Sequence, residues 1–354
     1  MTAIDTRLEQ LTDWLRLTLG HTVARIEVAS ADASFRRYFR VFAADGGSTI
    51  AMDAPPAHED VGPYLRITNL LRSTAVHVPH VHAADPVQGF VLLEDLGRTS
   101  YLEGLQDPDA VERLYGDALA ALLRLQLHGA DAAMALLPYD AAVLQREMQL
   151  MPEWFCDRHL ALSLGSAERE LLEETFSLLT EAALQQPVVF VHRDYHSRNL
   201  MVLEQNNPGV IDFQDALRGP LTYDLASLLK DCYISWPRER VEAWVEQFRA
   251  EHARAGQFVV GSSRDFLRAF DWISAQRHIK VLGIFARLCH RDGKHGYLHD
   301  LPLTLAYLRD TARRYPELHT FGEWLESRVV PRLPAANAAA LAAALAADQT
   351  TGDS

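Results

Sequence analysis

The spacing of apolar residues changes character near residue 97 of this 354-residue chain. Before that point, short apolar runs rich in β-branched and aromatic residues lie between turn residues, which predicts strands. After it, apolar residues recur mostly at every third or fourth position, which predicts helices. The pattern therefore predicts an α+β fold, with a small sheet first and a larger, mainly helical part second.

Individual elements follow from the same pattern. Strands are predicted at residues 23–28, 38–41, 48–54 and 90–93, and helices at 5–20, 61–73, 109–128, 166–185 and 238–252. A helical segment at 141–162 is interrupted near Pro152, because proline removes a backbone donor. A long helical pattern starts at residue 263. The alanine-rich stretch 334–347 predicts a terminal helix, followed by a frayed tail.

One stretch, residues 188–215, organises the rest. An apolar run at 188–191 and a second at 200–203 flank a polar loop, which predicts a hairpin. The loop carries Asp194 and Asn199, five positions apart. After a turn at 206–209, a short apolar strand leads to Asp212. We therefore expect Asp194, Asn199 and Asp212 to converge at one end of these strands.

This layout favours phosphoryl transfer. The reaction needs a carboxylate that accepts the proton of the attacking hydroxyl, and oxygen ligands for Mg²⁺. Asp194 is the candidate base, and Asn199 and Asp212 are the candidate metal ligands. The spacing H-x-D-x-x-x-x-N, followed by a hydrophobic-flanked Asp-Phe, is the kinase pair of catalytic and metal loops.

Composition narrows the class of partner. The chain is 48% hydrophobic and 23% charged, as in ordinary globular proteins. Its net charge of -13 disfavours a nucleic-acid or anionic-membrane surface as a partner. Three scattered cysteines predict no disulfide framework. No segment reads as a signal peptide or reaches transmembrane length. We expect a cytoplasmic enzyme with no membrane, nucleic-acid or obligate protein partner.

The quoted motifs carry a family resemblance. His192-Arg193-Asp194 with Asn199, and Ile211-Asp212-Phe213-Gln214-Asp215, resemble the aminoglycoside phosphotransferase and choline kinase branch of the protein-kinase-like fold. Within this branch the chain resembles the bacterial cell-wall recycling kinases, which phosphorylate N-acetylmuramate and N-acetylglucosamine at the anomeric hydroxyl. The resemblance covers roughly residues 8–333. It implies ATP and Mg²⁺ as cofactors, an amino sugar as substrate, and a sugar 1-phosphate as product.

The resemblance also implies two lobes. Residues 1–97 would form a nucleotide-binding lobe with an antiparallel sheet, 98–333 a catalytic and substrate lobe, and 334–354 the terminal helix and tail. The loop between the first two strands would cover the ATP phosphates with Ser34, Phe35, Arg36 and Arg37. It contains no glycine, and a plain surface hairpin is an equal alternative. Glu94 and Leu96 would contact adenine through their backbone.

The chain departs from the kinase pattern on its third strand, where a lysine normally pairs with the α- and β-phosphates. Met52 most closely matches that position, and the first lysine in the chain is Lys230. The positive charge must come from another group. Arg36 and Arg37 are the candidates, since guanidinium groups bind phosphate bidentately.

Candidate substrate residues lie in two regions. After Asp212 the chain has Gln214 in place of the kinase glycine and too few residues for a peptide-docking loop, which favours a small-molecule substrate. His196 and Asp215 would lie near that substrate. On the long helical pattern an apolar stripe becomes basic through Arg277, Lys280 and Arg287. This wall would suit an anionic lactyl group or the ATP phosphates; the alternative is a solvated charged face.

Two other residues have supporting roles by resemblance. His192 would stabilise the catalytic loop, and Asp224 would brace it through hydrogen bonds. Two rival functions stay open at this point. The first is a kinase for an aminoglycoside, choline or another amino alcohol. The second is a catalytically silent nucleotide-binding protein, suggested by the missing strand lysine.

Overall fold

A computed structural model describes residues 5–19, 23–31, 35–44 and 46–351. Of the predicted site residues, Ser34 lies outside this described part. Contacts divide the chain into two compact units. The first contains the described residues up to 132 together with 198–216, and the second contains 133–197 and the described residues from 217 onward. This division differs from a boundary at residue 97, and the lobe limits stay a prediction.

The elements appear in the following order along the chain: α1 (Thr6–Leu19), β1 (Val23–Ala31), β2 (Arg37–Ala43), β3 (Ser48–Asp53), α2 (Gly62–Leu71), β4 (Val81–Asp85), β5 (Phe90–Glu94), α3 (Tyr101–Gly104), α4 (Val111–His128), α5 (Ala130–Met134), α6 (Ala141–Met148), α7 (Ser166–Leu184), β6 (Val188–Val191), β7 (Leu200–Met201), β8 (Gly209–Val210), β9 (Leu217–Pro220), α8 (Tyr223–Leu229), α9 (Arg238–Ala255), α10 (Ser263–Asp292), α11 (Leu301–Arg314), α12 (His319–Trp324) and α13 (Leu333–Thr351). A π-helical segment, Met151–His159, follows α6 at the predicted proline break.

The first unit is built on a five-stranded antiparallel sheet in the order β1-β2-β3-β5-β4. One face packs on α1 through a small core: Leu11, Leu15, Phe39, Val41, Ala51, Phe90 and Leu92. Because side chains alternate along a strand, Ala51 and Asp53 face α1 while Met52 faces the other side. In the register of the sheet, Met52 is opposite Tyr38 on β2 and Val91 on β5.

The second unit is mainly helical, and α10 runs through its core. This 30-residue helix is buried almost without interruption from Phe270 to Gly283, although it carries Asp271, Gln276, Arg277, His278 and Lys280 in that span. Such a helix needs internal partners for its charges. Gly283 shows how closely it is packed, since a Cβ there would lie 2.3 Å from the backbone carbon of Leu150.

The predicted hairpin of residues 188–203 is wrong. β6 pairs with β9, and β7 pairs with β8, so the two apolar runs are not partners of each other. The physical reason lies in the intervening loop, whose backbone N–H groups at His192 and Ser197 are taken by the carboxylates of Asp224 and Asp231. A loop held in this way leaves the strand edge of β6 available to residues 217–220.

In the described part of the chain, no single helix has the length and apolar character to cross a membrane; one bent pair, residues 316–329 with 333–346, passes that test only when taken together, with a bend of 49°. All three cysteines are buried and without a disulfide.

Candidate active site

Asp194 follows buried strand β6 in the second unit and keeps part of its surface accessible. Its N–H donates to His192 Nδ1 at 3.3 Å. Burial raises the pKa of the Asp194 carboxyl, but the charges of Lys280, His196 and Arg277 outweigh that effect and hold the pKa below its usual value. Asp194 is therefore a carboxylate that stays ionised in a partly dry environment, which is the state a proton acceptor requires.

The loop around Asp194 is fixed by two buried carboxylates. Asp224 accepts hydrogen bonds from the N–H groups of His192 at 2.6 Å and Arg193 at 2.9 Å. Burial raises the Asp224 pKa to about 7, although both N–H groups oppose that shift. Asp231 accepts the N–H of Ser197 at 2.9 Å. Arg193 has a φ of 77°, so the loop holds a strained residue between these anchors.

Two aromatic rings pack against the loop histidines. His192 is edge-on to Tyr195, and His196 is edge-on to Tyr233 with ring centroids 5.4 Å apart. Both histidines are buried. They therefore shape the loop from inside the second unit.

The predicted basic stripe is buried rather than solvated. Lys280 Nζ lies 3.2 Å from Glu147 Oε1 and donates to Tyr223 Oη at 3.2 Å. Glu147 also pairs with Arg193 and accepts the hydroxyl of Tyr139. One carboxylate is thus shared between two cations beside Asp194. We call these five residues, Glu147, Tyr139, Arg193, Tyr223 and Lys280, the Glu147 cluster.

Glu147 was not predicted from the sequence. It lies on the buried face of α6 with Leu144 and Met148. A glutamate at an apolar-face position was the only available signal, and it does not say which cation the carboxylate meets.

Arg277 and Arg287 have different surroundings. Arg277 is buried, donates to Cys232 Sγ at 3.6 Å, and among the described residues makes no ion pair with a carboxylate. Arg287 lies farther along α10. Burial lowers the Arg287 pKa, and the charge of Arg291 lowers it further. The structure therefore groups Arg277 and Lys280 with Asp194 and leaves Arg287 with another set of charges.

In the first unit, Asn199 and Asp212 meet. Asn199 Nδ2 donates to Asp212 Oδ2 at 3.3 Å. Asp212 has a φ of 64°, in the left-handed region that aspartate tolerates better than most residues. The next residue, Phe213, is fully buried and stacks on Tyr64 of α2 with ring centroids 4.9 Å apart. Asp215 is exposed.

The two candidate arginines pair with different carboxylates. Arg37 Nη2 pairs with Asp53 Oδ2 at 2.7 Å on the α1 side, and Arg37 also pairs with Asp5. Arg36 instead pairs with Glu59 at 3.2 Å, and Asp212 is among the charges that raise its pKa against the effect of burial. Of these two arginines, Arg36 is the one whose pKa is affected by a candidate metal ligand.

The remaining nucleotide candidates are in the first unit. Phe35 is largely exposed and stacks on His58, with centroids 4.6 Å apart. The Glu94 carboxylate accepts the N–H of His80 at 3.1 Å. Leu96 is buried against Gly209, where an added Cβ would come within 2.7 Å of Leu96 Cδ1.

Comparison with known proteins identifies the family. The sequence model described as the phosphotransferase enzyme family, APH, matches residues 25–270. The chain belongs to this family. It is therefore a phosphotransferase, and the predicted resemblance is confirmed.

Two curated relatives cover nearly the whole phosphotransferase. N-acetylmuramate/N-acetylglucosamine kinase of Pseudomonas aeruginosa is 46% identical over 333 residues, 91% of this chain and 97% of the relative. A protein of the same name from Pseudomonas putida is 45% identical over 329 residues, 90% of this chain and 96% of the relative. Among solved structures, the GDP complex of aminoglycoside 2'-phosphotransferase-IIIa has a TM-score of 0.59 at 16% identity, covering 88% of this chain and 100% of the other. This likeness confirms the kinase-like fold.

Proposed function

We propose that this phosphotransferase is an ATP-dependent kinase acting on the anomeric hydroxyl of N-acetylmuramate or N-acetylglucosamine, giving the sugar 1-phosphate in peptidoglycan recycling. The substrate assignment rests on relatives of that name that match about nine-tenths of the chain. The reaction type rests on one observation, the Asp194 carboxylate held ionised by neighbouring cations. We place the enzyme in the cytoplasm, which the three buried, unbridged cysteines support.

Asp194 would act as the base. Its carboxylate would accept a hydrogen bond from the anomeric hydroxyl and take the proton as the oxygen attacks the terminal phosphorus of ATP. An anomeric hydroxyl is more acidic than an ordinary alcohol, so a carboxylate with a low pKa is a sufficient base. The attachment of the loop to Asp224 and Asp231 would keep this geometry from one turnover to the next.

Asn199 and Asp212 would hold Mg²⁺. Their donor set fits this ion, since an amide and a carboxylate offer oxygen ligands and neither residue brings nitrogen or sulfur donors of the kind that zinc prefers. When bound, the ion would neutralise charge on the phosphates. Asp194 precedes Asn199 by five residues, so one short loop carries both the base and a metal ligand.

Arg36 would take over the phosphate contact of the missing lysine. It is the candidate arginine near Asp212, whereas Arg37 is occupied by Asp5 and Asp53. Glu59 would orient its guanidinium, as an acid orients the strand lysine in kinases. The backbone of Glu94 and Leu96 would contact the base of the nucleotide.

Arg277 would favour an anionic substrate. Lys280 is already paired with Glu147, whereas Arg277 makes no ion pair with a carboxylate of the described residues and lies close enough to Asp194 to affect its pKa. A guanidinium of this kind suits the carboxylate of a lactyl group. It would disfavour aminoglycosides and choline, which carry positive charge. The rival hypothesis of a catalytically silent nucleotide-binding protein does not explain why Asp194, Asn199 and Asp212 are all present.

A phosphate-transfer assay tests this function directly. Purified enzyme, Mg²⁺ and γ-labelled ATP are incubated with N-acetylmuramate, N-acetylglucosamine, an aminoglycoside and choline. We expect label at C1 of the acetylated sugars and none on the cationic alcohols. Label on an aminoglycoside or choline alone would overturn the substrate assignment, and no transfer to any acceptor would overturn the kinase assignment. GTP in a parallel series tests the choice of nucleotide.

Arg36 and Arg37 offer a matched pair of variants. Arg36→Met should raise KM for ATP by tenfold or more, since a hydrogen bond to a charged group is worth about 1.5–3 kcal/mol. Arg37→Met should leave KM for ATP within about twofold and reduce stability instead, because Asp53 would remain buried with fewer partners. Initial rates at varied ATP, with urea unfolding of both variants, measure the two effects. Equal KM values for the two variants would contradict the assignment of Arg36.

A further inference from the structure

Gln214 makes an unusual contact with Asp212. Its Nε2 donates to Asp212 Oδ1 at 2.7 Å, while Asn199 Nδ2 donates to the other carboxylate oxygen at 3.3 Å. Two side-chain amides therefore hold one carboxylate from both sides.

The other atom of the same amide has no partner. Gln214 is only 8% exposed, and its Oε1 is buried without a hydrogen bond to any described residue. A buried acceptor without a hydrogen bond destabilises the folded state. A methionine or leucine would fill the same space without that cost, so packing alone does not account for a glutamine here.

The backbone keeps Gln214 in place. Phe213 is anchored on Tyr64, and the N–H of Ala216 donates to Phe213 O at 3.1 Å, which closes a turn across Gln214 and Asp215. The side chain of Gln214 points back to Asp212, whereas Asp215 is exposed. The amide thus has one donor committed to a candidate metal ligand and one acceptor unused beside it.

We propose that Gln214 is a positioning residue of the cation site. Its amide N–H fixes the orientation of Asp212, and its amide oxygen accepts a hydrogen bond from the hydration shell of the bound divalent cation. Mg²⁺ usually keeps several of its waters in protein sites, so an acceptor placed just behind a ligand has a defined partner. This inference rests on the proposed function only in taking Asp212 as a cation ligand.

Direct cation binding tests the proposal. Mn²⁺ is titrated by electron paramagnetic resonance into the full chain with ADP present, for wild type and Gln214→Met, which keeps side-chain volume and loses both amide atoms. We expect the apparent Kd for Mn²⁺ to rise about 10- to 100-fold, as for other residues that orient a metal ligand. ADP binding in EDTA should stay within about twofold of wild type.

Two further variants make the result decisive. Gln106→Met is the matched control, because Gln106 is an exposed glutamine of the same unit whose side-chain amide donates to the backbone O of Leu102. Gln214→Asn retains an amide that is one methylene too short, and should lose Mn²⁺ affinity like Gln214→Met. It also serves if Gln214→Met fails to fold. Wild-type Mn²⁺ affinity in a folded Gln214 variant would overturn the proposal.

The failure of this proposal can be told apart from failure of the proposed function. Wild type that transfers phosphate, together with a Gln214 variant of normal Mn²⁺ affinity, rejects the role of Gln214 and leaves the kinase assignment standing. Wild type that transfers no phosphate rejects the kinase assignment, while the Mn²⁺ titration still decides the role of Gln214.

Discussion

Asp194→Asn should lower kcat for sugar phosphorylation by about 100- to 10,000-fold, the range expected for loss of a general base. Asparagine keeps the size of the side chain and its N–H contact to His192, but it takes up no proton at any working pH. The affinity for ATP should stay nearly unchanged. Single-turnover transfer from labelled ATP measures the chemical step, and fluorescence titration with ATP measures binding.

A matched control distinguishes the loss of the base from the loss of any one negative charge. Asp157→Asn makes the same change at an exposed position of the same unit and should leave kcat at the wild-type value.

The pH profile of the wild-type enzyme is a second test of Asp194. Because neighbouring cations hold the Asp194 pKa below its usual value, the base stays ionised through neutral pH, and kcat/KM should not fall on account of Asp194 until the medium is more acidic than the ordinary range for aspartate. Wild-type turnover in Asp194→Asn would remove Asp194 from this role.

The parts of the site that the sequence predicted are those with local causes. Asp194 and Asn199 lie on one loop, and their spacing, together with the Asp212-Phe213 that follows, predicts the reaction type. The strands of the sheet and the long helix α10 are predicted by the spacing of apolar residues along the sequence. The basic stripe on α10 was visible as well, because Arg277 and Lys280 are three residues apart on one helix.

The parts that the sequence did not predict depend on contacts between distant segments. Glu147 lies 46 positions before its partner Arg193, and nothing local indicates that pair. Asp231 holds Ser197 from a distance of 34 positions. Strand β9 reads as a loop, because its pairing with β6 is what makes it a strand. Arg36 and Arg37 are adjacent in sequence, and only the fold shows that Arg36 pairs with Glu59 whereas Arg37 pairs with Asp5 and Asp53.

Glu147→Gln should destabilise the protein by about 3–5 kcal/mol, the cost of leaving a buried ion pair without one partner. In wild type, two carboxylates, those of Glu147 and Asp194, face the cations Lys280, Arg193 and Arg277 in the same unit. Glutamine keeps the shape but leaves one carboxylate against three cations. Turnover should fall as well, because the position of Arg193 and Lys280 beside Asp194 depends on Glu147.

Urea unfolding measures the change in the free energy of unfolding. Urea is uncharged, so it does not screen the ion pairs of Glu147 as guanidinium chloride would. Glu170→Gln is the control: Glu170 is an exposed glutamate of α7 and should change the free energy of unfolding by less than about 0.5 kcal/mol. The double variant Glu147→Gln/Lys280→Met removes one of the unpaired cations, so it should be more stable than the sum of the single changes predicts. Additive losses would show that Glu147 and Lys280 act independently.

The pH dependence of the stability lost in Glu147→Gln tests whether Glu147 acts through the charge of Lys280. Burial lowers the Lys280 pKa, but Glu147, Tyr223 and Asp194 together outweigh burial, so the folded-state pKa is above the ordinary value for lysine. The protonated Lys280 therefore stabilises the folded state. This stabilisation is complete below the unfolded-state pKa of Lys280 and is lost as pH rises through its folded-state pKa. In Glu147→Gln burial still lowers the Lys280 pKa, but the carboxylate of Glu147 no longer raises it, so Lys280 loses its proton at lower pH. The stability difference between wild type and Glu147→Gln should therefore be largest near neutral pH and shrink in alkaline solution. A difference that is constant from pH 7 to about pH 10 would mean that Glu147 stabilises the fold through Arg193 and Tyr139 and not through the charge of Lys280.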